Sequence, residues 1–372
     1  MKLPKYTKLI LPIILCIGAF LRWYHLEEQL VFSGDIARDL IISINILLTQ
    51  KLTLIGPPTS LGWLRLGPFA YYLWALILWL GSLNPLSIAL FLIIIDTVNI
   101  LLIYQLWKEI FSERIALISA LLYASSSYAI YYSRLILHIS LMPITATLFY
   151  LFLVRYLKYR KIIYFYLCCL LLSFAVQVHL TGIILIVIFL YYNLRKITVS
   201  KIFLGIILFI LPLLPLLIDQ YNDKFAMIGK FFLWLPYRIG SFWGLFSNKN
   251  SVNMEKLLNI INVNGNVIQD TIFIPSLTLA VLIFGVSIVT IVLTLIGKIE
   301  SKRSYRSGIK YILTILCLSF LSIFIHNQPS PHYFLFIIPF IILPVAYLFS
   351  LSRVGLVFLL FLTVSNISMI LK

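Results

Sequence analysis

Apolar runs and polar breaks alternate along this chain with a long period. The runs come close to the roughly 20 residues that a helix needs to cross a bilayer. The first covers Leu9 to Tyr24; after a polar break come Gly67–Leu80, Leu86–Trp107, Ile115–Tyr132, Ile139–Tyr156, Ile162–Val178 and Thr181–Leu194. Ile202–Ile218, Ile272–Ile296, Ile309–Ile325, Tyr333–Phe349 and Val354–Leu371 complete the series. Continuous runs predict helices, because a membrane β-barrel would show short segments alternating at a period of two. The fold class predicted is an all-α polytopic membrane protein. Of 372 residues, 62% are hydrophobic and 11% charged, against about 25% charged in soluble domains. No polar stretch is long enough for a soluble domain, so residues 1–372 read as a single transmembrane domain.

The Gly67–Leu80 run decides how the chain threads. Its ~14 residues are short for a span and suit a re-entrant or interfacial helix. If it does not cross, the basic loops Arg155–Lys161, Arg195–Lys201 and Lys298–Lys310 fall on the same side as Lys2, Lys5 and Lys8. That side then carries 18 of the 29 basic residues and 3 of the 12 acids, counted along the sequence, as the positive-inside rule requires of a cytoplasmic face. The expectation is eleven spanning helices plus the re-entrant or interfacial one, in a multi-pass protein of the plasma membrane. The N-terminus is inside and the C-terminus outside. The net charge of +17 is then a signature of topology, and nucleic acid is not among the expected partners.

Two further features bear on processing and redox chemistry. The N-terminal lysines before an apolar run look like a signal peptide. Arg22-Trp23-Tyr24-His25 follows instead of a small-residue cleavage site, which predicts an uncleaved first helix. Cys16, Cys168, Cys169 and Cys317 lie inside apolar runs with no CxxC spacing; buried inert thiols are expected.

Polar chemistry has few places to sit in such a chain, and the best is Val31–Tyr72, within an outer loop spanning residues 25–85. Asp35 and Asp39 lie either side of Arg38, four apart and so on one face of a helix starting near Ile36. Asp35 serves either as the N-cap or as a general base at the lipid–water boundary. Asp39 is either the second carboxylate or a helix-start partner of Arg38. Gly56-Pro57-Pro58 and Gly67-Pro68 bracket Arg65 in a tight irregular loop. There the guanidinium could grip a phosphate bidentately or meet lipid headgroups. Arg134 and His138 follow Tyr131-Tyr132-Ser133 on the same outer side. His138, His179, His326 and His332 all fall on outer turns, and Tyr333 follows His332. Asp96 stands mid-membrane with Asn99 one turn on, either as a hydrogen-bonded pair or as a proton relay. A long outer loop, 219–270, carries FFLWLPYRIGSFWGLF, an amphipathic aromatic run suited to the bilayer surface as a lid or an anchor. There is no Walker loop, GxGxxG, HExxH or Asp-x-Asp pair. A substrate carried by the membrane itself would need none of them.

Taken in order, these pieces resemble the GT-C membrane glycosyltransferases. The likeness is to the protein O-mannosyltransferase and aminoarabinose-transferase-like group (glycosyltransferase family 39-like). The resembling stretches are FSGDIARD, GPPTSLGWLRLGPFAYYL, YYSRLILHISLMP, QVHLTG and HYFLFIIPF. Where the family reads Asp-Glu, this chain reads Asp35-Ile36. The resemblance implies a GT-C-like fold and an inverting transfer on the outer face. A sugar would leave a polyprenyl-phosphate-linked donor for the hydroxyl of a lipid, glycan or protein acceptor, amid membrane lipids. Asp35 would act as base with Asp39 beside it. Arg65, Arg134 and His332 would steady the leaving phosphate, with Arg38, His138, His179 and Tyr333 behind them. Some enzymes of this group need a divalent metal and others do not, and no cofactor is assigned. The competing class is a transporter or lipid flippase of the cell envelope, with Asp96 and Asn99 on its substrate path.

Overall fold

The computed structural model describes residues 7–193, 199–243, 245, 254–299, 303–324 and 329–371. Lys2, Lys5, His326 and parts of the basic loops at 195–201 and 298–310 lie outside them. The chain is helical: α1 Thr7–Trp23, α2 Gly34–Thr49, α3 Phe69–Leu80, α4 Leu86–Ile110, α5 Glu113–Ala124, α6 Ser127–Arg134, α7 Met142–Tyr159, α8 Ile162–Val178 and α9 Gly182–Asn193. Then come α10 Val199–Ile210, α11 Leu214–Asn222, α12 Ala226–Phe242, α13 Met254–Ile272, α14 Leu277–Leu295, α15 Arg303–Phe324, α16 Ile338–Ser350 and α17 Arg353–Ile370. Short 3-10 turns lead into α7 at His138–Leu141 and into α16 at Pro331–Ile337.

Burial sorts these helices by their sequence. The α16 segment IPFIILPVAYLF is apolar all round and almost wholly buried, as such a helix must be at a bundle's centre. Around it pack α5, α14 and α17, while α4 joins α5 and α7, and α7 joins α8. At the rim the rule inverts. Val354, Val357, Leu360, Phe361 and Val364 of α17 are exposed, as are Phe203 and Ile206 of α10. Apolar faces on this scale are the surface of a protein solvated by lipid, and the chain is a multi-pass membrane protein.

Among the described residues, seven helices are long and apolar enough to cross a membrane, or eight if α5 and α6, bent by 56° where they meet, form one broken span. The other three expected spans are shorter apolar helices, Leu9–Trp23, Ile162–Val178 and Gly182–Asn193. The run expected as Ile272–Ile296 is divided. Phe273 takes a positive φ of 56° and ends α13, so α14 starts afresh at Leu277 behind a Ser276 cap. The described part of the long loop 219–270 is largely helical, and residues 231–242 of its aromatic run lie in α12. Of the cysteines only Cys168 and Cys169 are buried; Cys16 and Cys317 are exposed on the bundle's flanks.

The two ends of the bundle differ in kind. At one end the C-termini of α4 and α7 meet through Glu109, which accepts from Arg155 at 3.0 Å, Lys158 at 2.9 Å and Tyr159 at 2.7 Å. At the other end α2, the 138–141 turn, the end of α8 and the 331–337 turn come together, bringing Asp35, Asp39, His138, His179 and His332 to that end.

Candidate active site

Ser33 caps α2 by accepting from the Ile36 N–H at 3.4 Å. The cap is therefore two residues before Asp35, which sits in the first turn with its side chain exposed. The helix turns Arg38 back towards it, and Nη1 donates to Asp35 Oδ1 at 2.6 Å. The same guanidinium donates through Nε and Nη2 to Asp39 Oδ1, at 2.8 and 2.7 Å. Burial alone would lower the Arg38 pKa, but its hydrogen bond and attraction to Asp39 outweigh that and raise it, so it stays a cation. Asp39 is 1% exposed. Tyr71 of α3 donates to its Oδ1 at 3.3 Å, and His138 Nδ1 lies 3.2 Å from its Oδ2. Both Asp39 oxygens are thus engaged inside the protein, whereas Asp35 presents a carboxylate outward, held from behind by Arg38. The two acids are not equivalent: one anchors and the other faces the medium.

The Arg65 loop is built by its glycines. A narrow hairpin pairs the Gly56 N–H with the Leu66 carbonyl at 2.8 Å and the Leu66 N–H with the Pro57 carbonyl at 2.9 Å. A Cβ on Gly56 would strike the Gly67 carbonyl, and one on Gly67 would strike Gln177 of α8. Gly62, at φ +58°, makes the turn. The hairpin is fastened to α12, because the Arg65 N–H donates to Met227 Sδ at 3.2 Å. The Arg65 side chain is half-buried and makes no hydrogen bond or ion pair with the described residues.

His179, His332 and Tyr333 form a third cluster. The imidazoles meet edge-on with centroids 5.2 Å apart, and Tyr333 lies 5.2 Å from His179 and 4.7 Å from His332. His179 Nδ1 also lies 2.9 Å from the Thr181 hydroxyl. Arg238 of α12, a half-buried cation whose pKa burial lowers, interacts electrostatically with Tyr333. One amphipathic helix therefore meets the Arg65 hairpin at Met227 and sets Arg238 within electrostatic reach of Tyr333. Among the described residues, no three His, Cys, Asp or Glu side chains group so as to hold a metal ion.

Arg134 does a different job from the phosphate contact expected of it. It is 6% exposed and donates to the Leu21 carbonyl, to Arg22 at 3.0 Å, to Tyr24 at 2.9 Å and to the Gln29 side chain. These carbonyls are the orphan acceptors at the end of α1, and Arg134 serves as their cap. Asp96 does not pair with Asn99. It accepts from Arg22 Nε at 2.7 Å and from the Tyr123 hydroxyl, while Asn99 donates to Tyr123 at 2.8 Å. Arg22 is fully buried and also donates to the carbonyls of Gly18 at 3.0 Å and Ala124 at 3.1 Å. A carboxylate so neutralised ties α1, α4 and α5 together, and the ground for a substrate path through Asp96 is gone.

Sequence reasoning missed Tyr71, Arg238 and Arg22. Tyr71 stands in the quoted GPFAYYL stretch and Arg238 in the quoted aromatic run, so type and neighbourhood were visible but partners were not. The remaining expected residues fall into two groups, Asp35–Arg38–Asp39–His138 and His179–His332–Tyr333. Arg65 is linked to the second through α12.

The helical bundle that holds these groups at one end has a GT-C-like fold. Residues 66–218 match the family described as dolichyl-phosphate-mannose-protein mannosyltransferase. The fold superposes on ArnT from Cupriavidus metallidurans bound to undecaprenyl phosphate, with TM-score 0.61 and 13% identity, covering 96% of this chain and 63% of that one. It also superposes on the archaeal oligosaccharyltransferase AglB from Archaeoglobus fulgidus in complex with an inhibitory peptide and a dolichol-phosphate. There the TM-score is 0.56 and the identity 14%, covering 99% of this chain and 55% of that one. This chain thus spans little more than half the length of the archaeal enzyme. No curated protein matches it by sequence.

Proposed function

We propose that this protein is an inverting membrane glycosyltransferase that moves a sugar from a polyprenyl-phosphate-linked donor to an acceptor hydroxyl. The observation that carries the reading is the asymmetric carboxylate pair. Asp35 is exposed and oriented by Arg38, which is itself locked by the buried Asp39. Asp35 takes the acceptor's proton as its oxygen attacks the anomeric carbon. The bond from that carbon to the phosphate oxygen breaks, and a polyprenyl phosphate leaves. Cations lower the barrier by stabilising the charge the phosphate gains. Arg65, with no partner among the described residues, and the His179–His332–Tyr333 cluster are the groups suited to that work. His138 and Tyr71 position Asp39, and Arg134 is structural. Kinship in fold with proteins holding undecaprenyl phosphate and dolichol-phosphate supports such a donor.

The carboxylates face outward across the plasma membrane, with the N-terminus in the cytoplasm. The supporting observation is the excess of Lys and Arg in the loops at the opposite end. The chain acts as one transmembrane unit, with its catalytic loop in 25–85 and the α12 part of loop 219–270 beside the site. The acceptor is a lipid, glycan or protein hydroxyl. Membranes given radiolabelled polyprenyl-phosphate sugars should transfer label with wild type and not with Asp35→Asn. Reporters fused at Lys161 and Arg303 should read cytoplasm; an external signal at Arg303 would overturn the orientation.

A further inference from the structure

At the end of the bundle away from the carboxylates, a cavity of about 700 Å3 opens between α4, α7, α9, α14 and α15. Its walls include Leu157 and Leu313, and its polar rim includes Glu109, Lys158 and Lys310. Glu109 already faces both Arg155 and Lys158, so that cluster keeps a net positive charge. Lys310 adds another, for it makes no ion pair with the described residues.

We propose that this cavity binds the phosphodiester head of an anionic phospholipid. Lys310 and the Glu109–Lys158 cluster face the phosphate, and an acyl chain lies along the leucine wall. Apolar walls beneath a basic rim call for an amphiphile, and basic pockets between helices at a membrane's cytoplasmic side bind such heads. A zwitterionic head would bring a second cation to a rim already positive. A soluble phosphate would leave the walls uncovered. This site is independent of the transfer chemistry at the other end.

The test uses the full chain in detergent, with phosphatidylglycerol, phosphatidylcholine or glycerol 3-phosphate added, read by thermal shift and native mass spectrometry. Phosphatidylglycerol should raise Tm and stay bound, while the other two should not. Lys310→Gln should weaken binding about fivefold, the ordinary effect of one lysine near an anionic lipid surface. Lys158→Gln should weaken it by a similar factor, with Arg155 left to pair Glu109. If Lys310→Gln fails to fold, Lys158→Gln carries the test. Equal response to both phospholipids, or unchanged binding by the folded variants, would overturn the proposal. Equal stabilisation by glycerol 3-phosphate would replace the lipid with a free anion and overturn it as well.

Discussion

Asp35→Asn separates chemistry from folding more cleanly than any other single change in this protein. The Asp35 side chain is 67% exposed and its one partner, Arg38, keeps Asp39 when Asp35 is lost. An exposed ion pair contributes about 0–1 kcal/mol, and an acid in the first turn of a helix adds about 0.3–1 kcal/mol. The Ser33 cap is untouched. The variant should therefore fold, insert and melt within a few degrees of wild type. A general base, by contrast, contributes about 10²–10⁴-fold to rate, and an amide has no useful proton affinity. Radiolabel transfer should fall by at least that factor while binding of the lipid donor persists, since Asn keeps the size of the side chain. Asp39→Asn makes the opposite trade: it removes the charge that locks Arg38, costing stability as well as some rate. If Asp35→Asn retains transfer within about threefold, below the smallest effect expected of a base, the assignment fails. If Asp39→Asn is then the dead variant, the base lies one helical turn deeper.

Other changes should act in different currencies. Arg65→Gln should raise KM for the donor with little change in Tm, because the side chain has no partner among the described residues to lose. Arg134→Met should lower Tm, removing a charged cap from four acceptors at a cost of about 2–4 kcal/mol, and preserve KM in whatever protein folds. Asp96→Asn should destabilise by about 3–5 kcal/mol by leaving Arg22 buried without its counter-charge. The double change Arg22→Met with Asp96→Leu should recover most of that loss, and a thermal melt of the two variants decides it. Gly56→Ala should depress expression and Tm, since the new Cβ meets a backbone carbonyl that cannot step aside.

The apolar runs were legible because a bilayer demands them, and the structure places helices at all of them. The local geometry of Asp35, Arg38 and Asp39 was legible too, since helical spacing alone brings positions three and four apart together. Inequality between the acids was not, because it depends on Tyr71 and His138, which lie 32 and 99 residues away from Asp39 in sequence. Asp35 was read as a possible N-cap, and Ser33, two residues earlier, took the role. Arg134 was misread for a related reason. A cation at a helix end is visible in sequence, but nothing local reveals whether it turns to solvent or back into the frayed end of a neighbour. Asp96 had an obvious companion one turn away and took a distant arginine instead, because only a cation can neutralise a carboxylate at that depth.

Arg22 and Arg134 are exchanged between the same two pieces of chain: the first donates into the end of α5, the second into the end of α1. Neither terminus is complete by itself. During synthesis α1 is made more than a hundred residues before the segment that caps it. Until then it carries a naked guanidinium and unsatisfied carbonyls at its far end, a state that favours the aqueous channel of the insertion machinery over lipid. Release of α1 is thereby tied to the arrival of α4, α5 and α6. A nascent chain arrested before Asp96 should crosslink to the insertion machinery rather than to phospholipid, and one extended past Arg134 should have left it.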